Sequence, residues 1–201
     1  IKDMFDATLA FLDDRGVLFG IADSDEKKLS GAHFGSTYDL AYHYYGDSQY
    51  LPVIAKNEAD CMFGEPRVHM QALAGEAAAG CVPPMGNACA DNIGLALLRS
   101  QKPGRQQREQ IQAVLRYGSH GNAHGHFDVT DLLSVMRYGR SFFNPENCWW
   151  GYAHFMYKFY VQCSLTKNMV VVDEKMQNPA DSRKILWQSG EGLQAAGIEV
   201  R

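Results

Sequence analysis

The feature that most constrains this 201-residue chain is a change of hydrophobic period part-way along it. Before residue 60 apolar residues recur at helical spacing, and after residue 90 they alternate. Within residues 3–15, Phe5, Leu9 and Leu12 share one helical face, with Asp3 near the start and Gly16 just past the end. In FGSTYDLAYHYYGD, Tyr38, Ala41, Tyr42 and Tyr45 fall on neighbouring helical positions and Gly46 ends the run. SQYLPVIAKNEAD reads as a short helix whose Pro52 is tolerable only in its first turn. An antiparallel helix pair with a tight connection is the expected product.

Residues 60–90 are interrupted by Gly64, Pro66, Gly75, Gly80, Pro83, Pro84 and Gly86, which suits a connection better than a packed element. Beyond it IGLALLRS, IQAVLRY, LLSVMRYG, RSFFN, KFYVQCS and NMVVVD read as strands, and Ile111, Ala113, Leu115 and Tyr117 lie on one side of the second. A final GIEV is also strand-like. Turn residues, not helices, separate these segments, so an antiparallel sheet or sandwich is expected over a parallel α/β fold.

Composition narrows the function classes. At 46% hydrophobic and 21% charged residues the chain is globular, and its net charge of −4 provides no global attraction for nucleic acid or an anionic membrane surface. No stretch approaches the length of a membrane span. A chain that opens on Ile1 and stops at Arg201 straight after a strand is expected to be a piece of something longer. Cys61, Cys81, Cys89, Cys148 and Cys163 are odd in number and lack a CxxC pair, so buried thiols are expected.

The densest chemical feature is RYGSHGNAHGHFDVTD, residues 116–131, which sets His120, His124, His126 and Asp128 among Gly118, Gly121 and Gly125. Imidazoles act as base, acid or metal ligand near neutral pH, and glycines let the backbone approach a ligand. Taken alone, H-x-H-x-D also suits a zinc hydrolase of the metallo-β-lactamase type. That motif continues with a His directly after the Asp, whereas this chain has Val129 followed by a strand.

The order RYG-x-HG-x-x-HGHFD, a strand ending YGR, FFNPENCWW and YVQCSLTKNMVVVDEKMQ resembles the heparinase II/III-like polysaccharide lyases over roughly residues 20–178. The preceding AHFGSTYDLAYHYYGDSQYLPVI is similar to the closing helices of that family's toroid. The resemblance implies an α+β multidomain chain: the end of an (α/α) toroid joined to an antiparallel β-sandwich. Residues 1–60 would be the last toroid helices, 61–90 the linker, and 91–201 an incomplete sandwich.

It further implies β-elimination on a uronate-containing polysaccharide such as alginate or a glycosaminoglycan, by a secreted or periplasmic enzyme with an acidic polysaccharide or oligosaccharide as partner. His124 would be catalytic, facing the cleft between toroid and sandwich. His126 would stand where the family has a zinc ligand, but the partner positions hold Asn144 and Lys167. An amide is a poor zinc ligand and an ammonium is none, so the family's metal site is expected to be lost, with zinc on His126 as the alternative. Instead the Lys167 ammonium would take the cation's place, hydrogen-bonding Asn144 and a neutral His126. Asp128 would orient the loop or an imidazole.

His120, Asn122, Trp149 and Tyr160 are the candidate substrate-binding residues, with Tyr157 a weaker one. Tyr38, Tyr42, Tyr44 and Tyr45 lie too close to HGH to be the family's toroid tyrosine and are expected to pack. That tyrosine and the carboxylate-neutralising group would precede Ile1, so association with the rest of a longer chain is expected. A uronyl C5-epimerase and a catalytically inactive carbohydrate-binding module are the alternative functions.

Overall fold

The structure, a computed structural model, describes residues 1–24, 26–29, 35–55, 86–100, 104–143 and 151–200. Residues 1–19 and 26–85 form one compact unit, and residues 20–25 with 86–201 form a second. Among the described residues no helix is long and apolar enough to cross a membrane.

The first unit carries α1 (Lys2–Ala10), β1 (Val17–Leu18), β2 (Lys27–Lys28), α2 (Gly35–Tyr45) and α3 (Leu51–Ile54), the last entered through one 3-10 turn at Ser48–Tyr50. Pro52 sits in the first turn of α3, where its missing N–H costs nothing. Helix α1 is shorter than its periodicity predicts. The Asp13 carboxylate accepts from the backbone N–H groups of Arg15 (2.8 Å) and Val17 (3.0 Å), an arrangement that competes with helix and turns the chain into the β1–β2 hairpin. Leu9, Leu12, Leu29, Tyr38, Ala41, Tyr50, Leu51, Val53 and Ile54 form the core. Two phenols inside it are satisfied: Tyr50 donates to Asp6 (2.6 Å) and Tyr38 to the Phe5 carbonyl (3.0 Å). Tyr38 and Tyr42 pack as expected and Tyr45, on their side at the end of α2, keeps its ring 6.3 Å from that of Phe5 although partly exposed, whereas Tyr44 is exposed.

The second unit is antiparallel throughout. Strands β3 (Ala88–Ala90), β4 (Leu95–Arg99), β5 (Gln112–Arg116), β6 (Leu132–Arg137) and β7 (Arg140–Phe143) form a five-stranded meander in chain order, and β8 (Ser182–Ser189) pairs with β9 (Gln194–Val200) in a hairpin. Strand β3 occupies the last three positions of the expected linker. Gly94, at φ +72°, makes the β3–β4 turn, where any Cβ would collide with the Tyr117 carbonyl oxygen. The hairpin is tied to the sheet side by Gly118 and Ser182, which exchange backbone hydrogen bonds, and by Lys184, whose ammonium meets Asp91 (2.9 Å).

Three expectations are corrected here. KFYVQCS is no strand: Tyr157–Val161 is a single wide helical turn, because Tyr157 and Val161, four apart, are both buried. NMVVVD forms no ladder among the described residues; Val170 is 85% exposed and Asp173 and Glu174 take positive φ. In β5 the buried positions are Gln112, Val114 and Arg116, not the apolar set of Ile111, Ala113 and Leu115, although Tyr117 is buried. Of the cysteines, Cys163 is buried and Cys89 half-buried, while Cys61, Cys81 and Cys148 lie outside the described residues.

Burial of Arg116 is explained by its partner: its Nη1 lies 2.6 Å from Asp128 Oδ1, both side chains nearly water-free. This pair joins the end of β5 to the HGHFD loop. Removing one member of a buried pair strands the other, at a cost of about 3–5 kcal/mol. Asp128→Ala should therefore lower stability by about that amount in denaturant unfolding, and an effect under about 1 kcal/mol would show the pair to be dispensable.

Candidate functional site

The HGH segment lies between β5 and β6 and folds back on itself. Gly121 (φ +88°) and Asn122 (φ +52°) take left-handed conformations, residues 122–124 make one 3-10 turn, and the Gly125 N–H closes it on the Asn122 carbonyl (3.0 Å). A Cβ on Gly125 would sit 2.0 Å from the His120 carbonyl oxygen, so only glycine fits. Gln162 Nε2 donates to the Gly125 carbonyl (2.9 Å) and the Phe127 N–H to the Gln162 carbonyl (3.0 Å), so the turn at Tyr157–Val161 buttresses the loop.

One carboxylate gathers this loop's side chains. Asp23, in the 20–25 segment that belongs to the second unit, places Oδ2 2.7 Å from His124 Nδ1 and Oδ1 3.1 Å from His126 Nε2. The Tyr157 hydroxyl also donates to Asp23 Oδ1. Tyr152 completes the group, its hydroxyl 3.3 Å from His124 Nδ1 and its ring edge-on to both His124 and Tyr157. The two histidines differ sharply in environment. The His124 side chain is 69% exposed and that of His126 is 1% exposed.

Burial opposes ionisation of Asp23, but hydrogen bonds from Tyr157, His124 and His126 outweigh it and hold the carboxyl below the usual range. Burial lowers the His126 imidazole, with the Asp128 carboxylate opposing and the Lys167 charge assisting. Burial, reinforced by the hydrogen bond to Asp23, raises the Tyr157 phenol; burial and the Asp23 charge raise Tyr152.

The expected site residues separate into groups. His124 and His126 come together on Asp23. His120 is half-buried, its ring 5.0 Å from that of Phe127 and its backbone N–H donating to Asp181 (3.2 Å). Asn122 is exposed at the tip of the turn. Tyr160 is half-buried with its carbonyl accepting from Thr166, and it is Tyr157, three residues earlier, that reaches Asp23. Trp149 and Asn144 lie outside the described residues. Asp128 holds Arg116 and stands 3.9 Å from His126 Nδ1, a position from which it orients the loop.

The expected bond between Lys167 and His126 is replaced: the ring nitrogens of His126 face Asp23 and Asp128, and Lys167 acts on the ring through its charge. The Lys167 charge that bears on the ring disfavours a zinc ion at His126, and among the described residues no group of three or more His, Cys, Asp or Glu side chains is arranged to hold one.

Asp23 and Tyr152 were missed by the sequence reading. Asp23 stands in the mixed-charge run IADSDEKK, where nothing in spacing or type distinguishes it from its acidic neighbours, and 101 residues separate it from His124.

No family model and no curated protein matches the sequence. The arrangement of elements, however, is heparinase-like. The chain is similar to a solved heparinase III structure with methylated lysines (TM-score 0.66, 14% identity) and to a structure of the heparinase III gene product without that modification (TM-score 0.67, 13% identity). In both cases 94% of this chain is covered and 26% of the other, so the chain spans about a quarter of the length of these structures. At such identity the likeness establishes the fold.

Asp23 and His126 are both held below their ordinary values, and because those values differ the acid response has two stages. An unfolded imidazole takes up its proton near the ordinary 6.5, whereas folded His126 resists until a lower pH, so stability falls as pH drops through 6.5 toward the folded value. Asp23 is depressed when folded; its contribution is present above the unfolded carboxyl value of 3.8 and is lost below it, toward the folded value. In an NMR titration the His126 Cε1 proton should have its midpoint below 6.5, and a midpoint at or above 6.5 would contradict the burial reading.

Proposed function

We propose that this chain carries the β-sandwich wall of a polysaccharide lyase cleft, and that the lyase cleaves a uronate-containing polysaccharide, alginate or a glycosaminoglycan, by β-elimination. The observation that carries the reading is an exposed imidazole, His124, backed by the carboxylate of Asp23 within a heparinase-like fold. Elimination needs a group to take the weakly acidic C5 proton, donors to stabilise the developing enolate-like charge, and an acid for the departing O4 oxygen. His124 would take the C5 proton through its solvent-facing edge. Tyr152, exposed beside it, would meet the same sugar; its ring contact with His124 supports this.

In this reading residues 1–60 are the closing helices of an (α/α) toroid, 61–90 the crossing and 91–201 the sandwich. A longer chain supplies the toroid tyrosine and the group that neutralises the uronate carboxylate. Polymers of this kind are met outside the cytoplasm, so a secreted or periplasmic location accompanies the proposal. Lewis-acid help at His126 forms no part of it, because the positive charge of Lys167 bears on that ring.

The test uses the gene-length protein containing this segment, incubated with alginate, hyaluronan, heparan sulfate and chondroitin sulfate. Elimination leaves a C4–C5 double bond that absorbs in the ultraviolet. One of these polymers should yield that absorbance, and His124→Ala should reduce the rate roughly 10²–10⁴-fold, the span of a lost general base. Solvent deuterium at C5 without new chain ends would assign epimerisation instead, and binding without either would assign a carbohydrate-binding role.

A further inference from the structure

Resting on the reading that His124 faces the sugar, we infer that Asp23 is a positioning residue: it holds His124 with its proton on Nδ1, so that the Nε2 lone pair is the one presented to substrate. An ionised carboxylate has no proton to give and can only accept. Every nitrogen that contacts it must therefore carry a hydrogen. At 2.7 Å from Oδ2 the donor is His124 Nδ1, whose more distant neighbour, the Tyr152 hydroxyl at 3.3 Å, directs its own proton to Asp23; at 3.1 Å from Oδ1 the donor is His126 Nε2. A neutral imidazole has one N–H, so the two rings are held in opposite tautomers.

The consequences differ with exposure. In His126 the lone pair lies on Nδ1, enclosed and 3.9 Å from Asp128, where it is out of reach of any polymer. In His124 the lone pair lies on Nε2 of a ring that is mostly exposed, while the carboxylate behind it is largely sheltered. Sheltering matters because a hydrogen bond to a charged acceptor is stronger away from water, and because a base is useful only if its ring cannot turn over between encounters.

Asp23 could not do this if its own side chain were free to rotate. Tyr157 donates to the oxygen that His126 also holds, which leaves the other oxygen for His124. Gln162 reaches both the Tyr157 hydroxyl (3.4 Å) and the Gly125 carbonyl (2.9 Å), so the residue that clamps Asp23 is tied to the backbone of the same HGH turn. The frame closes on itself, and neither His124 nor Asp23 has to be held by the sugar.

Nitrogen-15 NMR of histidine-labelled protein above the imidazole titration range tests this without an activity assay. In the wild type His124 should show a protonated Nδ1 and an unprotonated Nε2, and His126 the reverse. A wild-type His124 with its proton mainly on Nε2 overturns the inference whatever the variants do. In Asp23→Leu, which has similar bulk and no acceptor, His124 should shift toward the Nε2–H form that a free ring favours, while amide signals of β3–β7 stay in place. Asp23→Glu should restore the Nδ1–H form in part.

On an active gene-length protein, Asp23→Leu should reduce kcat roughly 10²–10⁴-fold with little change in KM. If Asp23→Leu instead tightens binding of free glucuronate, Asp23 is occupying the carboxylate subsite and the positioning role is wrong. The expected tautomers in a protein without lyase activity would support the positioning of His124 and count against the lyase reading.

Discussion

A single carboxylate organises the chemically rich end of the second unit. Asp23 is far in sequence from these partners, yet two imidazoles and two phenols, Tyr157 and Tyr152, point their hydrogens at it. Burying a carboxylate is costly unless its lone pairs are filled, and here the filling groups are the ones that the site needs to hold still. The lowered position of Asp23 and the raised positions of Tyr157 and Tyr152 express the same fact: negative charge stays on the carboxylate and protons stay on its partners.

Around this centre the protein supplies rigidity from two directions. The Arg116–Asp128 pair locks the exit of the HGH loop to the end of β5, and the turn at Tyr157–Val161 locks its middle through Gln162. Ser164 and Gln177 extend the second support: the Ser164 hydroxyl donates to the Phe127 carbonyl, the Gln177 N–H donates to that hydroxyl (2.9 Å), and the Val129 N–H donates to the Gln177 side chain (3.3 Å). A loop of three glycines would otherwise have little preference for one shape. These contacts explain why His124 can be exposed and still have a defined orientation.

Much of this was legible in the residues. Helical spacing located α2 and α3, alternation located β4 to β7, and the density of His and Gly located the loop whose imidazoles meet Asp23. What escaped depends on long-range pairing. Gln112 and Arg116 look like outward positions until Asp128 is known to receive the arginine, so the buried face of β5 could not be chosen from its own pattern. KFYVQCS and NMVVVD have strand-like composition, but a strand needs a neighbour, and the first is drawn into a helical turn by burial of Tyr157 and Val161. Most of β8 and β9 was passed over because SRKILWQS mixes charge and apolar residues without clean alternation. Asp23 had no local mark at all; its meaning is supplied by partners more than a hundred residues away.

The central claim is that the surface around His124 is where a uronate polymer is held. Titrating short oligomers of mannuronate, glucuronate or sulfated uronate into the nitrogen-15-labelled chain, and following amide and imidazole signals, addresses it directly. The expected result is a saturable shift that centres on His124, Gly125, Tyr152 and Tyr157 with at least one of these sugars and that neutral oligosaccharides do not produce. Shifts confined to other surfaces, or the same response to neutral sugars, would contradict it.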